Sequence, residues 1–331
     1  MAVLLHRVSL SRCILAMSIG VLLGTLGWQF FGHTFTWQWS CLYPYMYINP
    51  RLRCHSDENI QKKEYEVFQE EVSQFLDRER QQGTITDAAV YFRDLEAGPW
   101  FGINEREPFS PASLLKVPLM MTYLRIAQDS PDILTTKMIP KSQFQSEPQL
   151  IPVADPLDAG QEYTVEDLLR RMIAYSDNQS MVFLGSYLTA TSRGTDTLAE
   201  TFIDLGIIDV PEDIRDFLSV KTYASLFRLL YNATFLNREM SNKALNFLRQ
   251  SQFGEGLVAG IPSGIAIAHK FGERVQDAGH KQLHDCGIVY YPENHYILCI
   301  MTKGRDTHAL ASVIRRISEM VYEEVRMRAE L

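Results

Sequence analysis

The chain has 331 residues, of which 46% are hydrophobic and 22% charged, and its formal net charge is −8. That composition excludes wholesale disorder, and the acidic balance excludes a nucleic-acid binder, which needs a basic stripe to neutralise phosphates. Five cysteines over this length make no disulfide scaffold, and without a C-x-x-C pair they make no zinc ribbon.

The first predicted element is a membrane helix. Residues 13–50 form a run of 38 positions without Asp, Glu, Lys or Arg. Within it, residues 13–31 (CILAMSIGVLLGTLGWQFF) are 19 overwhelmingly apolar positions, close to the length that crosses a bilayer. Arg7 and Arg12 precede the run and Arg51 follows it, so residues 1–12 are expected in the cytoplasm and the remainder outside. Trp28, Trp37 and Trp39 suit the membrane boundary. A cleaved signal peptide is the rival reading. It needs a small-x-small site, and Thr25-Leu26-Gly27 matches only weakly before the bulky Trp28-Gln29-Phe30-Phe31. Both readings export the chain, which places its cysteines in an oxidising space. Cys41 and Cys54 can close a short loop; Cys286 and Cys299 can pair across a turn at Pro292-Glu293-Asn294 or stay as buried thiols.

Residues 32–57 read as a juxtamembrane linker and residues 58–331 as one folded domain. The domain opens with an amphipathic helix carrying Tyr65, Phe68, Val72, Phe75 and Leu76 at three- and four-residue spacing and ending near Gly83. A strand at 88–92 and a turn at Ala97-Gly98-Pro99 into a second strand follow. The stretch from 110 to 250 is mostly helical, with helices over Val165–Ala174, 180–188 and Val220–Tyr231. Strands return at 265–270, 287–291 and 296–302, and a helix over 309–328 closes the chain. Strands at both ends with helices between predict an α+β domain whose two ends share one antiparallel sheet.

Three segments carry chemistry. In Ser110-Pro111-Ala112-Ser113-Leu114-Leu115-Lys116, Ser110 suits an N-cap and Pro111 the first helical position. Ser113 and Lys116 then share a helix face, and a desolvated lysine can take the proton of a serine nucleophile. Taken alone, S-x-x-K matches many helix starts by chance. The second segment, Tyr175-Ser176-Asp177-Asn178, sits between two helices, where a cap and turn is the plain reading. The third, His269-Lys270-Phe271-Gly272-Glu273, falls on an edge-like strand, where an ordinary strand end is the plain reading.

Together, in this order and with gaps of 63 and 94 residues from Ser113 to Ser176 and from Ser176 to Lys270, they resemble the S-x-x-K, S-D-N and K-T-G set of the class A β-lactamase and penicillin-binding serine hydrolases. The resemblance covers roughly residues 60–328. It implies the β-lactamase/transpeptidase-like fold and an acyl-enzyme on Ser113, with Lys116 as its activating base. It further implies that Ser176 relays protons to the leaving nitrogen, that Asn178 holds the substrate amide and that Lys270 faces the substrate carboxylate. The backbone N–H groups of Ser113 and Glu273 would form the oxyanion hole, with Gly272 beside them in the substrate site. The implied substrate is a β-lactam or a cell-wall D-alanyl peptide. The expected protein is a monomer without metal or cofactor, held by one membrane span with its catalytic domain on the outer side of a bacterial cell envelope.

Two positions depart from that pattern. Phe271 stands where the family has a hydroxyl residue, and Phe cannot donate a hydrogen bond to a substrate carboxylate. If that hydroxyl limits recognition, Phe271→Thr should speed acylation. The loop glutamate that activates the deacylating water has no clear counterpart; Glu212, which also reads as a helix-start acid, is the nearest candidate. A β-lactamase-fold protein with impaired catalysis, acting as a binding module, is therefore the competing reading. Retention of Ser113, Lys116, Ser176, Asn178 and Lys270 together argues against it, since a pure binding module needs no such set. His280 and His284 have metal-ligand spacing only on a helix, and they fall between predicted strands.

Overall fold

The structure is a computed structural model, and it describes residues 47–48, 65–96, 98–140, 149, 151–190, 192–207, 216–276 and 279–330. Contacts divide the chain into two units, Met1–Asp57 and Glu58–Leu331. The predicted membrane helix, Cys41, Cys54 and Glu212 all lie outside the described residues. No helix among the described residues is long and apolar enough to cross a membrane.

Helix α1 (Glu66–Gln81) buries Phe68, Val72 and Leu76 on one stripe, with Glu66 in its first turn and Arg78 and Arg80 in its last, a charge order that suits the helix dipole. Gly83 follows at φ +78°, a left-handed conformation that ends the helix and that glycine adopts without strain. Strands β1 (Asp87–Asp94) and β2 (Trp100–Ile103) form a hairpin. The remaining sheet strands come from the far end of the chain: β5 (Ile267–Val275), β6 (Lys281–Val289) and β7 (Tyr296–Gly304). The order is β2-β1-β7-β6-β5, and every pairing is antiparallel, so the first and last strands of the domain meet side by side at β1 and β7.

The two faces of β1 separate by alternation. Val90 and Phe92 join Phe68, Val72, Leu298 and Ile300 in a core completed by Ile314, Ile317 and Val321 of the closing helix α8 (Thr307–Ala329). On the other face lies the helical layer: α2 (Lys116–Asp129), α3 (Val165–Ala174), α4 (Asn178–Thr189), α5 (Ser192–Asp204), α6 (Val220–Tyr231) and α7 (Arg238–Arg249). A short ladder of β3 (Lys137–Met138) and β4 (Tyr163–Thr164) leads into α3. Helix α2 is buried almost all round, from Val117 to Ala127, as a central helix must be. Side-chain caps start four of the others: Thr164 for α3, Asp177 for α4, Ser219 for α6 and Asn237 for α7.

Three expectations need correction. The third motif lies on an edge strand, β5, as expected, but mid-strand, because the strand runs on past Lys270 to Val275. Strand β6 begins at Lys281, six residues before the start that the apolar pattern predicts, and it takes in most of 284–290, the stretch that resembles the family's strand after the lysine motif, so His284 sits inside a strand. Ser110 does not cap a helix: a 3-10 turn over Ala112–Leu115 comes first, with no side-chain cap. Cys286 and Cys299 face each other in the β6–β7 register and are disulfide-bonded.

Candidate active site

The nucleophile segment is held from behind before it turns. Ser110 donates its N–H to Gln282 Oε1 at 3.0 Å, accepts His284 Nε2–H on its carbonyl at 2.9 Å and accepts Arg274 Nη1 on its hydroxyl at 3.2 Å. A carbonyl oxygen only accepts, so His284 carries its proton on Nε2. Burial lowers its pKa to about 4 and keeps the ring neutral. Gln282 and His284 are 172 and 174 residues from Ser110, and no local spacing in the sequence points to them. Tyr223 Oη holds Leu114 O at 3.1 Å from α6. Ala112, one residue before Ser113, takes φ +47°, and Ser176 takes φ +56°. Both are left-handed conformations that cost a residue with a Cβ about 1–2 kcal/mol, and such strain gathers at functional sites.

The edge strand closes on this turn through Gly272. A Cβ there would lie 3.0 Å from Leu114 Cγ and 3.3 Å from Pro111 O, so only glycine allows the approach without displacement. Asp177 caps α4, accepting Gln179 N, Ser180 N and, at 2.5 Å, Ser180 Oγ. That cap fixes the turn that carries Ser176 and Asn178. Gln149, which sequence reasoning did not single out, clamps the same turn: its Nε2 donates to Ser176 O at 3.0 Å and its Oε1 accepts Asn178 N at 3.3 Å. The neighbouring Ile151 N donates to Glu273 Oε1 at 3.0 Å.

These elements converge on two buried lysines. Lys116 Nζ lies 2.7 Å from Ser113 Oγ, 2.6 Å from Ser176 O, 3.0 Å from Ser176 Oγ and 2.6 Å from Asn178 Oδ1. Lys270 Nζ donates to Ser176 Oγ at 2.9 Å and to Phe271 O at 2.8 Å. Desolvation brings Lys116 down to about 7, against the pull of Asp177 and Glu273. Lys270 is also pushed well below the ordinary lysine range, by burial first and by the charge of Lys116 second. A neutral Lys116 has two N–H donors and one lone pair. Ser176 O and Asn178 Oδ1 accept the two N–H groups, which leaves the lone pair for the Ser113 hydroxyl proton. Ser113, Lys116, Ser176, Asn178 and Lys270 are thus joined by hydrogen bonds, with Gly272 and Glu273 on the adjoining strand.

Phe271 borders this cluster through Lys270 while its ring packs into the core. Its ring is buried and stacked on Phe253, with centroids 4.6 Å apart, and Lys270 Nζ lies 4.1 Å from its centre. Behind Lys270, the buried pair His269 Nδ1–Asp285 Oδ1 is 2.8 Å apart, and Asp285 Oδ2 accepts Leu257 N at 2.9 Å.

A five-stranded antiparallel sheet backed by helices, with a serine, two buried lysines and a second serine in one hydrogen-bonded cluster, defines an acyl-transfer serine hydrolase. The chain belongs to the β-lactamase enzyme family, whose model matches residues 68–325, and it is a serine hydrolase of that type. Among solved structures it is similar to an acyl-enzyme complex of a PBP-A variant with penicillin G, at 22% identity and TM-score 0.64, covering 79% of this chain and 97% of that one. It is also similar to the TLA-3 extended-spectrum β-lactamase, at 16% identity and TM-score 0.67, covering 78% and 99% of the two chains. A β-lactamase from Sphaerobacter thermophilus gives 20% identity and TM-score 0.63 over 77% and 96%. Identities this low speak for the fold alone. No curated relative matches the chain.

Proposed function

We propose that this chain forms an acyl-enzyme on Ser113 with a β-lactam or a cell-wall D-alanyl peptide, as a single-span membrane protein whose domain 58–331 lies on the outer side of a bacterial cell envelope. The observation that carries the reading is the Lys116 Nζ–Ser113 Oγ contact of 2.7 Å, made by an amine that titrates near neutrality. Ser113 Oγ attacks the amide carbonyl and its proton passes to Lys116. The tetrahedral oxyanion is met by the N–H groups of Ser113 and Glu273. The C–N bond breaks, and the departing nitrogen takes its proton through Ser176, which Lys116 and Lys270 both touch. Asn178 holds the substrate amide, and Lys270 faces the substrate carboxylate, whose charge favours the protonated amine. Water then hydrolyses the ester. The family's loop glutamate, which would activate water for that last step, has no clear counterpart in the sequence, so the acyl-enzyme is expected to be long-lived. The anchor reading rests on the apolar run at 13–31, its two preceding arginines and the tryptophans beyond it.

The test is incubation of the full chain with a fluorescent penicillin, followed by peptide mass spectrometry. The expected result is a covalent adduct on Ser113 that is absent from Ser113→Ala. Absence of an adduct with penicillins, cephalosporins and activated esters alike would overturn the enzyme reading of this site and favour a binding module. The adduct's lifetime separates the two uses: a persistent ester marks a penicillin-binding role, and rapid turnover marks a lactamase.

A further inference from the structure

A second hollow lies outside the catalytic cluster and shares no residue with it. It is a groove of about 270 Å³ between β1, β2 and α6, lined by Tyr91, Arg93, Trp100, Lys221, Ser225 and Arg228 among others. The fold dictates this convergence. Tyr91 and Arg93 are two apart on the face of β1 away from the α1–α8 core, and Trp100 is the register partner of Arg93 on β2. Lys221, Ser225 and Arg228 stand at i, i+4 and i+7 on α6, one helix face.

The chemistry of the lining is specific. Lys221 Nζ lies 4.3 Å from the centre of the Trp100 ring, and that ring stacks on Tyr91 with centroids 5.7 Å apart. Trp100 is nevertheless 44% exposed. Other arginines of the domain take carboxylate partners readily, as Arg171 does with Asp155 and Arg125 with Asp204. Arg93, Lys221 and Arg228 make no ion pair among the described residues. Residues 58–331 hold 28 basic and 39 acidic residues, a net of −11, so carboxylates are plentiful, yet none pairs with the three cations facing one concave space. Guanidinium forks match phosphate and carboxylate oxygens two at a time, and a concave site with an apolar wall and a few convergent polar groups is the usual form of a small-molecule pocket.

We propose that this groove binds a small organic oxyanion, its phosphate or carboxylate held by Arg93, Lys221 and Arg228 and its apolar part set against Tyr91 and the exposed edge of Trp100. The concavity favours such a ligand over a membrane surface, which is too flat to reach Arg93, half-buried on the sheet.

Trp100 is the only tryptophan in residues 58–331, the other three being Trp28, Trp37 and Trp39. A full-length chain carrying Trp28→Phe, Trp37→Phe and Trp39→Phe therefore reports the groove through a single indole. Phenyl phosphate titrated into it should change Trp100 emission saturably, and inorganic phosphate should do so more weakly because it lacks the apolar part. Adding Arg93→Gln and Arg228→Gln to that chain should weaken phenyl phosphate binding by roughly tenfold or more. If those two changes impair folding, as judged by thermal unfolding, Lys221→Gln alone tests the same point and should also weaken binding. Benzoate separates the two headgroups: binding comparable to phenyl phosphate marks a carboxylate site, and much weaker binding marks a phosphate site. The proposal is overturned if no probe gives a saturable change, if sodium chloride at matched ionic strength reproduces it, or if the glutamine variants bind as tightly as their parent. It is also overturned if anionic phospholipid vesicles perturb Trp100 while the small probes do not, which would make the face a membrane contact.

Discussion

Lys116 is fully buried, and burial is what brings its amine down to about 7. An ordinary lysine at neutral pH is almost wholly protonated and has no lone pair to offer. Here the base form is already populated at neutral pH, and the acceptors Ser176 O and Asn178 Oδ1 orient it. The sign of the pH dependence follows. The unprotonated amine is the active form, so acylation of Ser113 by a penicillin should rise with pH, reach half its maximum near pH 7 and level off above it. Stopped-flow or gel-based labelling rates from pH 5 to 9 check this. Lys116→Arg keeps a charge that does not titrate below pH 12 or so. It should lose the rising limb and slow acylation by roughly 10²–10⁴-fold, the range for loss of a positioned general base. A rate independent of pH across this range in the parent protein would remove Lys116 from the role of base. Lys116, Ser113 and Asn178 are legible in the sequence because each lies in a short motif. Gln149, Gln282 and His284 are not: they act through bonds to distant backbone, and nothing in their neighbours signals that.

Strand β5 shows where reading by element succeeds and where it stops. Its motif was visible, but its position at mid-strand and the burial of Phe271 were not. Strand β6, interior to the sheet and buried along most of its length, explains part of the error. Gln282, His284 and Asp285 interrupt its apolar run, so the sequence reads as a gap before a later strand. Each is buried because a partner elsewhere satisfies it. The departure at position 271 also changes meaning. The Phe271 ring is packed on Phe253, so a hydroxyl placed at 271 replaces core packing. Phe271→Thr is therefore expected to lower stability by about 3 kcal/mol, a fall in Tm of roughly 6–10 °C for a domain of this size. It should not accelerate penicillin acylation. Faster acylation with an unchanged melting temperature, measured by scanning calorimetry beside labelling rates, would restore the missing-hydroxyl account.

At the scale of the whole molecule, the net charge of −8 describes neither end of the chain. Residues 1–57 carry four basic and one acidic residue, and residues 58–331 carry the excess of acid. Within the latter unit the catalytic amines Lys116 and Lys270 are buried, so their protonation is set by desolvation and by each other rather than by the surface balance. The architecture is set by strands that meet from opposite ends: β1 pairs with β7, and α8 covers the face that α1 also covers. The composition pattern of strands, helices and strands again made that closure legible, although it could not give the strand order. The closing helix also reaches toward the site through a chain of contacts. Ser318 Oγ donates to Leu257 O at 2.8 Å, Leu257 N donates to Asp285, and Asp285 bonds His269 beside Lys270. Ile314, fully buried in the core on that helix, tests whether α8 serves stability alone. Ile314→Ala should cost about 3 kcal/mol through lost burial and a residual cavity. Because Ile314 lies outside both the site and the Ser318–Leu257–Asp285 path, acylation per folded molecule at 15 °C should match the parent while Tm falls by roughly 6–10 °C. Slowed acylation in a fully folded Ile314→Ala protein would mean that core packing under α8, and not only the hydrogen-bonded path beside it, sets the position of Lys270.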